Sequence, residues 1–273
     1  FLKGLVIPGP MARPWETADS TKLLTAIAFA GLGGFWTLFY SFWLREKGAG
    51  MARHFGRITS PLTGAPEIIP DSGFVPAEDA TSRAELPRWR RFLVVDSGIG
   101  ILGNIFTTLM TCLLAYALLH PKGLLPDEYQ LAVVQSEFFA ASWGVWGRAL
   151  FLVVAAAFLA DTWLSTVDAV SRTQTDIVLS YVPAARRWAP RVWYYVFVGV
   201  FTVITAATMP LAAPGPLILM TAVIGFLGTV LFVAALWRLN HVMLPPLLPA
   251  YARPGPASRV LIVGVWLVYL SLA

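Results

Sequence analysis

Charged residues are scarce in this chain. Its 273 residues include only 20 lysines and arginines and 15 aspartates and glutamates. They make up 13% of the chain, which is about half the share that soluble domains carry. Hydrophobic residues account for 57%, and the mean hydropathy is +0.68. This composition excludes an ordinary soluble domain and is typical of a helical protein that crosses a membrane several times.

Cysteine and histidine are nearly absent. Cys112 is the only cysteine, so no disulfide can form within the chain. The three histidines, His54, His120 and His241, do not have the spacing of a zinc site. No cofactor-binding motif is recognisable, and we expect no cofactor. The formal charge of +5 does not indicate a nucleic-acid partner, because the basic residues of membrane proteins collect in cytoplasmic loops.

Both ends of the sequence look cut. The chain begins at Phe1 with no signal peptide before it, and the apolar run 260–273 is short for a full span. We therefore expect this chain to be part of a larger protein.

The apolar stretch 23–44 contains no charge and is long enough to cross a bilayer core. Its centre, at 30–34, holds Gly31, Gly33 and Gly34, and glycine is a poor helix former. Two interpretations remain open. The glycines allow close packing between helices, or they break the helix so that freed backbone groups bind a solute.

Five further apolar runs predict membrane spans, the last of them truncated. They cover approximately 92–119, 149–171, 193–212, 217–237 and 260–273. Basic residues collect in every second segment between the spans: eight in 45–91, four in 172–191 and three in 238–259. The segments on the opposite side of the membrane carry four in total. This asymmetry predicts that these three segments, including the long loop 45–91, lie in the cytoplasm.

Polar residues inside spans are costly and mark candidate ion pathways. Asp96 lies about one turn inside its span and Asn104 two turns deeper. The alternative for Asp96 is an interfacial pair with Arg90 or Arg91. The alternative for Asn104 is a hydrogen bond between helices.

A polar stripe follows one face of the span 149–171 and continues beyond it. Asp161, Ser165, Asp168 and Arg172 are spaced by four, three and four residues, which aligns them on a helix. Arg172 can pair with Asp168 or with Asp176, each four residues away. The stripe indicates either one wall of an ion pathway or a polar seam that packs the helix into its bundle.

Three stretches together resemble the Nramp family of divalent-metal transporters, specifically its distant bacterial members. Gly-Leu-Val-Ile-Pro at 4–8 is similar to the end of the family's helix 5. Residues 30–41, followed by 45–51, are similar to its broken helix 6. Ser-Thr-Val at 165–167, with Gln174, is similar to the Ser-Thr-Ile…Gln run of helix 8. The chain would correspond to the family's C-terminal half, from helix 5 to part of helix 11.

The resemblance implies an all-α polytopic fold of the leucine-transporter type, built from inverted repeats. It implies secondary transport of a divalent cation by alternating access around 30–34, with the missing N-terminal half supplying further ligands. The carbonyl of Ala30 would be a metal ligand. The substrate-binding residues would be Ala30, Gly31, Gly33, Gly34, Thr37 and Tyr40.

The chain departs from the family at two kinds of position. Gly33 stands where the family has methionine, whose thioether favours softer metals, so Mg²⁺ bound through oxygen atoms is as plausible as manganese or iron. Phe35 and Tyr40 stand where the family has histidines associated with proton movement. The resemblance therefore leaves proton symport open.

The sequence supports a transporter rather than an enzyme. An enzyme with Asp161 and Asp168 as an acid–base pair would lack a neighbouring histidine or cysteine and a cofactor motif. Two alternatives stay open: an organic-solute carrier in which Phe35, Trp36 and Tyr40 stack on the substrate, and a non-transporting sensor or scaffold. In each case the expected location is the lipid bilayer of a bacterial inner membrane.

Overall fold

The computed structural model describes residues 14, 20, 35–60, 64, 65, 67–70, 73–124, 130–211 and 214–272. Helices, turns and irregular segments make up these ranges, and no strand occurs in them. The proposed glycine break at 30–34 lies outside the described residues, as do Ala30, Gly31, Gly33 and Gly34.

Seven α-helices occur in the described part of the chain. They are α1 (Phe35–Glu46), α2 (Ala80–Leu114), α3 (Leu131–Gln135), α4 (Glu137–Tyr181), α5 (Pro190–Thr208), α6 (Pro214–Arg238) and α7 (Pro256–Leu272). Short 3-10 or π-helical turns lie between or extend them, at Gly50–His54, Ala115–Leu119, His120–Lys122, Pro183–Arg187, Leu239–Met243 and Ala250–Ala252.

Five helical stretches are long and apolar enough to cross a bilayer. They are Ala80–Lys122, Glu137–Tyr181, Pro190–Thr208, Pro216–Met243 and Ala250–Ser271. Large apolar side chains on their surfaces are exposed, among them Phe106, Leu231 and Val260. Such a surface is unfavourable in water and favourable in hydrocarbon, so the helices indicate an integral membrane protein.

Helix α2 is longer than its apolar run. The helix begins at Ala80, so residues 80–91 are helical. The expectation that the loop 45–91 extends over these residues was wrong. Asp79 caps the helix: its Oδ1 accepts a hydrogen bond from the amide of Ser82 at 2.6 Å. Hydrogen bonds from Ser82 also hold the pKa of Asp79 below its usual 3.8.

Helix α4 likewise extends beyond its predicted span on both sides. Between the predicted spans 92–119 and 149–171 the sequence predicts a loop, 120–148, and α3 and α4 together make much of it helical. At its other end α4 continues to Tyr181, through the first half of segment 172–191. The loop expected at 120–148 was therefore wrong over this part, whereas the four-residue spacing of Arg172 and Asp176 already predicted that the helix continues beyond residue 171. The apolar run alone marks the membrane-facing part of a helix, and α4 continues where its sequence becomes polar.

Gly144 interrupts α4 seven residues after its start. Its backbone has φ +58° and ψ −138°, a region that only glycine enters readily, so the helix bends sharply there. Gly147 lies against the same bend. A Cβ at Gly147 would approach the carbonyl oxygen of Phe139 to 2.4 Å, so the bend requires both glycines.

Helix α1 brings the two halves of the described bundle together. α4 packs along α5, α6 packs along α7, and α1 lies against both α4 and α6. Phe39 and Phe42 of α1 are buried, as are Val167 of α4 and Phe226 of α6. The C-terminal half of α1 is thereby fixed against the polar part of α4.

Candidate functional site

The spacing of α1 directs its last polar residues towards α4. Phe39, Phe42, Trp43 and Glu46 follow an i, i+3, i+4, i+7 pattern and therefore lie on one helical face. Because the two phenylalanines are buried, the same face carries the indole of Trp43 and the carboxylate of Glu46 into the interface.

Asp168 accepts hydrogen bonds from three other side chains. Its Oδ1 lies 2.5 Å from the hydroxyl of Tyr194 and its Oδ2 lies 3.1 Å from Nε1 of Trp43. Nε of Arg172 donates to both carboxylate oxygens at 3.0 Å. The predicted Asp168–Arg172 pair is therefore present, within a contact among α1, α4 and α5.

Arg172 lies between two carboxylates from different helices. Its Nη2 is 3.0 Å from Asp168 on its own helix, and its Nη1 is 2.6 Å from Oε1 of Glu46 on α1. The guanidinium carbon lies 5.1 Å from the ring centre of Tyr194, a cation–π arrangement. With its side chain only 11% exposed, Arg172 is the most enclosed charge of the group.

A second ion pair lies one helical turn away. Nη1 of Arg45 is 3.4 Å from Oδ2 of Asp176, and the Arg45 guanidinium stacks on the ring of Phe42 at 4.9 Å. The predicted alternative of an Arg172–Asp176 pair is not the one formed. We call Trp43, Arg45, Glu46, Asp168, Arg172, Asp176 and Tyr194 the α1–α4 network; its three carboxylates and two guanidinium groups leave one net negative charge.

Asp96 joins α2 to α1. Its Oδ2 accepts a hydrogen bond from the hydroxyl of Tyr40 at 2.7 Å, and Oγ of Ser97 lies 3.5 Å from the same hydroxyl. Its partner is thus Tyr40 rather than Arg90 or Arg91. This contact brings together Tyr40 and Asp96, two of the predicted site residues.

Asp161, Asn104 and Ser165 do not join these contacts in the part of the chain that the structure describes. Asp161 and Asn104 are exposed, and neither side chain has a hydrogen bond or ion pair within the described residues. Oγ of Ser165 donates to the carbonyl of Thr162, one turn earlier on its own helix. Thr37 is partly exposed on α1. The predicted polar stripe is therefore divided into an open part at Asp161 and a paired part at Asp168 and Arg172.

Four network members were missed by sequence reasoning: Trp43, Arg45, Glu46 and Tyr194. Glu46 had a usable signal, because it is an acid seven residues after Phe39 on the face that ends an apolar run. Nothing in the sequence distinguishes Tyr194 from the adjacent Tyr195, since only the packing of α5 on α4 selects it.

The chemistry of the network is electrostatic. Within the ranges the structure describes, no group of three or more histidine, cysteine, aspartate or glutamate side chains could hold a metal ion. The carboxylates of Glu46 and Asp168 are instead bridged by one guanidinium. Such a network can hold two helices together, and it can release them when its charge balance changes.

Comparisons with protein-family models, with curated proteins and with solved structures find no match for this chain.

Proposed function

We propose that this protein is a secondary transporter of a divalent cation of the manganese, iron or magnesium class, working by alternating access. The observation that carries the proposal is the enclosed group of Glu46, Asp168 and Arg172 on helices that pack among membrane-spanning ones. Ionisable groups at such positions are expensive, and they commonly mark ion pathways in transport proteins.

The division of the stripe on α4 supports two different roles. Asp161 is an exposed carboxylate on a helix of membrane-spanning length, so it is accessible to a cation in a pathway. Asp168 is held by three donors, two of them from other helices. We assign Asp161 to attraction of the cation, and the α1–α4 network to closure of the pathway at the end predicted to be cytoplasmic.

The likeness to Nramp proteins supports the same class of substrate. On this proposal the fold is of the leucine-transporter type, the Ala30 carbonyl is a metal ligand, and the protein lies in a bacterial inner membrane. Tyr40, six residues after Gly34 in the sequence, donates a hydrogen bond to Asp96 of α2, and this contact supports a role for Asp96 in the proposed ion pathway.

A non-transporting membrane scaffold is the second candidate. It is favoured by the ion pairs of the α1–α4 network, in which each guanidinium contacts a carboxylate. In a scaffold these pairs would only fasten α1 to α4. The two candidates differ in whether cations cross the membrane.

A pair of carboxylate variants tests the proposal in proteoliposomes containing the full-length protein. Asp161→Asn should lower the initial rate of Mn²⁺ or Mg²⁺ uptake at least about tenfold, because a unit charge in a pathway contributes more than about 1.4 kcal/mol to cation occupancy. Asp168→Asn should reduce uptake less. Glu78→Gln, an exposed acid before α2, is the matched control and should transport normally.

Two results would count against the proposal. Uptake that does not exceed that of protein-free liposomes favours the scaffold. Normal transport by Asp161→Asn, together with loss in Asp168→Asn, contradicts the pathway assigned to Asp161.

A further inference from the structure

A groove lies between α6 and α7, near the ends that segment 239–255 connects. Its cavity volume is about 300 Å³, and apolar or indole side chains line it: Val233, Ala234, Trp237, Ile262, Val263 and Trp266. We call these residues the α6–α7 groove. Ala234 and Val263 are exposed, so the groove is open at the protein surface. Farther from the connecting segment, Nε1 of Trp266 donates to the carbonyl oxygen of Val230 at 3.1 Å, so the two helices are in contact there.

The α6–α7 groove borders hydrocarbon rather than water. Pro216–Met243 and Ala250–Ser271 are both long and apolar enough to cross a bilayer, and the groove lies within them. Apolar cavities do not hold water, and an empty one forfeits packing contacts along its walls. A lipid acyl chain is the apolar group that a bilayer offers to fill this groove.

Two arginines lie one helical turn beyond the groove, on its predicted cytoplasmic side. Arg238 follows Ala234 by four residues on α6, and Arg259 precedes Val263 by four residues on α7. Residues four apart share a helical face, so each arginine lies on the side of its helix that borders the groove. Both side chains are exposed, and neither forms an ion pair or a hydrogen bond within the described part of the chain.

No acidic residue follows Asp176 in the sequence. The same part of the chain carries six arginines, of which Arg238, Arg253 and Arg259 belong to α6, α7 and their connection. Arg253 donates to the carbonyl oxygen of Leu248. The positive charge beside the groove is therefore not offset by this part of the chain, and it complements an anion at the membrane surface.

The groove also has a polar group that lacks a partner. The indole of Trp237 lines the groove, and its Nε1 is buried without a hydrogen-bond partner in the described residues. Nε2 of His241, one turn nearer the predicted cytoplasmic side, is likewise buried and unpartnered there. Buried polar groups without partners are unfavourable. The ester and phosphate oxygens of a phospholipid lie where its chains meet its headgroup, and they are acceptors at this level.

We propose that the α6–α7 groove binds an anionic phospholipid of the cytoplasmic leaflet, with an acyl chain in the groove and the headgroup at Arg238 and Arg259. The apolar lining selects the chain, and the two unpaired arginines select the anionic headgroup. A zwitterionic lipid would fill the groove as well, but its headgroup would leave the positive charge in excess. The proposal goes beyond transport and does not depend on whether cations cross the membrane.

Quenching of tryptophan fluorescence by brominated lipids tests the proposal in the full-length protein. The protein is reconstituted into phosphatidylcholine vesicles that contain increasing amounts of brominated phosphatidylglycerol or, separately, brominated phosphatidylcholine. Bromine on an acyl chain quenches an indole only at contact, and Trp237 and Trp266 line the groove. Phosphatidylglycerol should bind about thirtyfold more tightly than phosphatidylcholine, since each arginine near the surface contributes a factor of about five. Trp237→Phe should remove most of this selective quenching.

Arginine variants test the headgroup contacts. Arg238→Gln and Arg259→Gln should each lower the preference for phosphatidylglycerol to about fivefold, and the double variant should remove it. Arg187→Gln is the matched control. It removes an exposed arginine between α4 and α5, on the same predicted side of the membrane but away from the groove, and should leave the preference unchanged.

Filling the groove tests the position of the acyl chain. Ala234→Phe puts an aromatic ring into the groove and should abolish the selective quenching, although both arginines remain. Ala235→Phe is its control, because the adjacent alanine is also exposed but does not line the groove. Val263→Phe fills the groove from α7 and takes the place of Ala234→Phe should that variant not fold.

Three results would overturn the proposal: equal quenching by the two lipids, a preference that survives the loss of both arginines, or one that Arg187→Gln lowers as much as Arg259→Gln does. Absence of Trp237 quenching by either lipid would mean that another helix covers the groove, and would overturn the proposal as well. None of these results bears on cation transport, which the uptake assay measures separately.

Discussion

Asp168→Asn is the substitution with the clearest expected effect on stability. It removes the negative charge that Arg172 contacts through Nε and Nη2, while keeping the size of the side chain. Tyr194 and Trp43 donate to different carboxylate oxygens, so the single amide oxygen of asparagine can accept in place from only one of them, while Arg172 keeps its charge contact with Glu46. The loss is therefore one ion pair and one hydrogen bond of a larger network.

The expected loss of unfolding free energy depends on how deeply the Asp168–Arg172 ion pair is buried. Breaking a fully buried ion pair by removing one partner costs about 3–5 kcal/mol. Asp168 is 26% exposed and Arg172 retains one carboxylate, so we expect the free energy of unfolding to fall by about 1–3 kcal/mol. The matched control is Asp161→Asn on the same helix, whose exposed side chain has no partner in the described residues and should cost less than about 0.5 kcal/mol.

Equilibrium unfolding in mixed detergent micelles, followed by circular dichroism and tryptophan fluorescence, measures both variants. A double-mutant cycle of Asp168→Asn with Arg172→Gln should give a coupling free energy of at least about 1 kcal/mol. The reasoning is refuted if Asp161→Asn destabilises the protein as much as Asp168→Asn does, or if the two network substitutions are additive.

Three further predictions concern other parts of the chain. Gly144→Ala should lower the free energy of unfolding by about 1–3 kcal/mol, because alanine is strained at φ +58°; Gly199→Ala, in the open interior of α5, should not lower it. The lowered pKa of Asp79 means that its cap stabilises α2 fully above pH 3.8 and is lost as pH falls further, so amide exchange in the first turn should rise in acid, and Asp79→Asn should remove that dependence. Cysteine placed at Ser60, in a protein without Cys112, should not react with an impermeant reagent outside intact cells; ready labelling contradicts the predicted orientation.

The helical class was predictable from the sequence because it depends on apolar runs. Each run at 92–119, 149–171 and 217–237 lies within a longer helical stretch. The ends were not predictable in the same way, because hydropathy reports the lipid-facing part of a helix and is silent where the helix continues in polar sequence. At the start of α2 the cap at Asp79 was a local signal that hydropathy does not use.

In the candidate site, contacts within one helix could be predicted from the sequence, whereas contacts between helices could not. The Asp168–Arg172 pair follows from four-residue spacing on one helix and needed no tertiary information. The contacts of Trp43 and Tyr194 with Asp168 join three helices, and no periodicity within one helix reveals them. Asp161 shares a helical face with Asp168 and still has a different environment, because α1 and α5 contribute side chains only at Asp168.

Cation flux through the wild-type protein tests the central claim most directly. The full-length protein is reconstituted into liposomes that contain a Mn²⁺- or Mg²⁺-sensitive dye, with an amino acid tested in parallel as an organic solute. The account predicts saturable entry of a divalent cation, faster than into protein-free liposomes, and no amino-acid uptake. Cation entry no faster than in protein-free liposomes, or uptake of the amino acid alone, would contradict it.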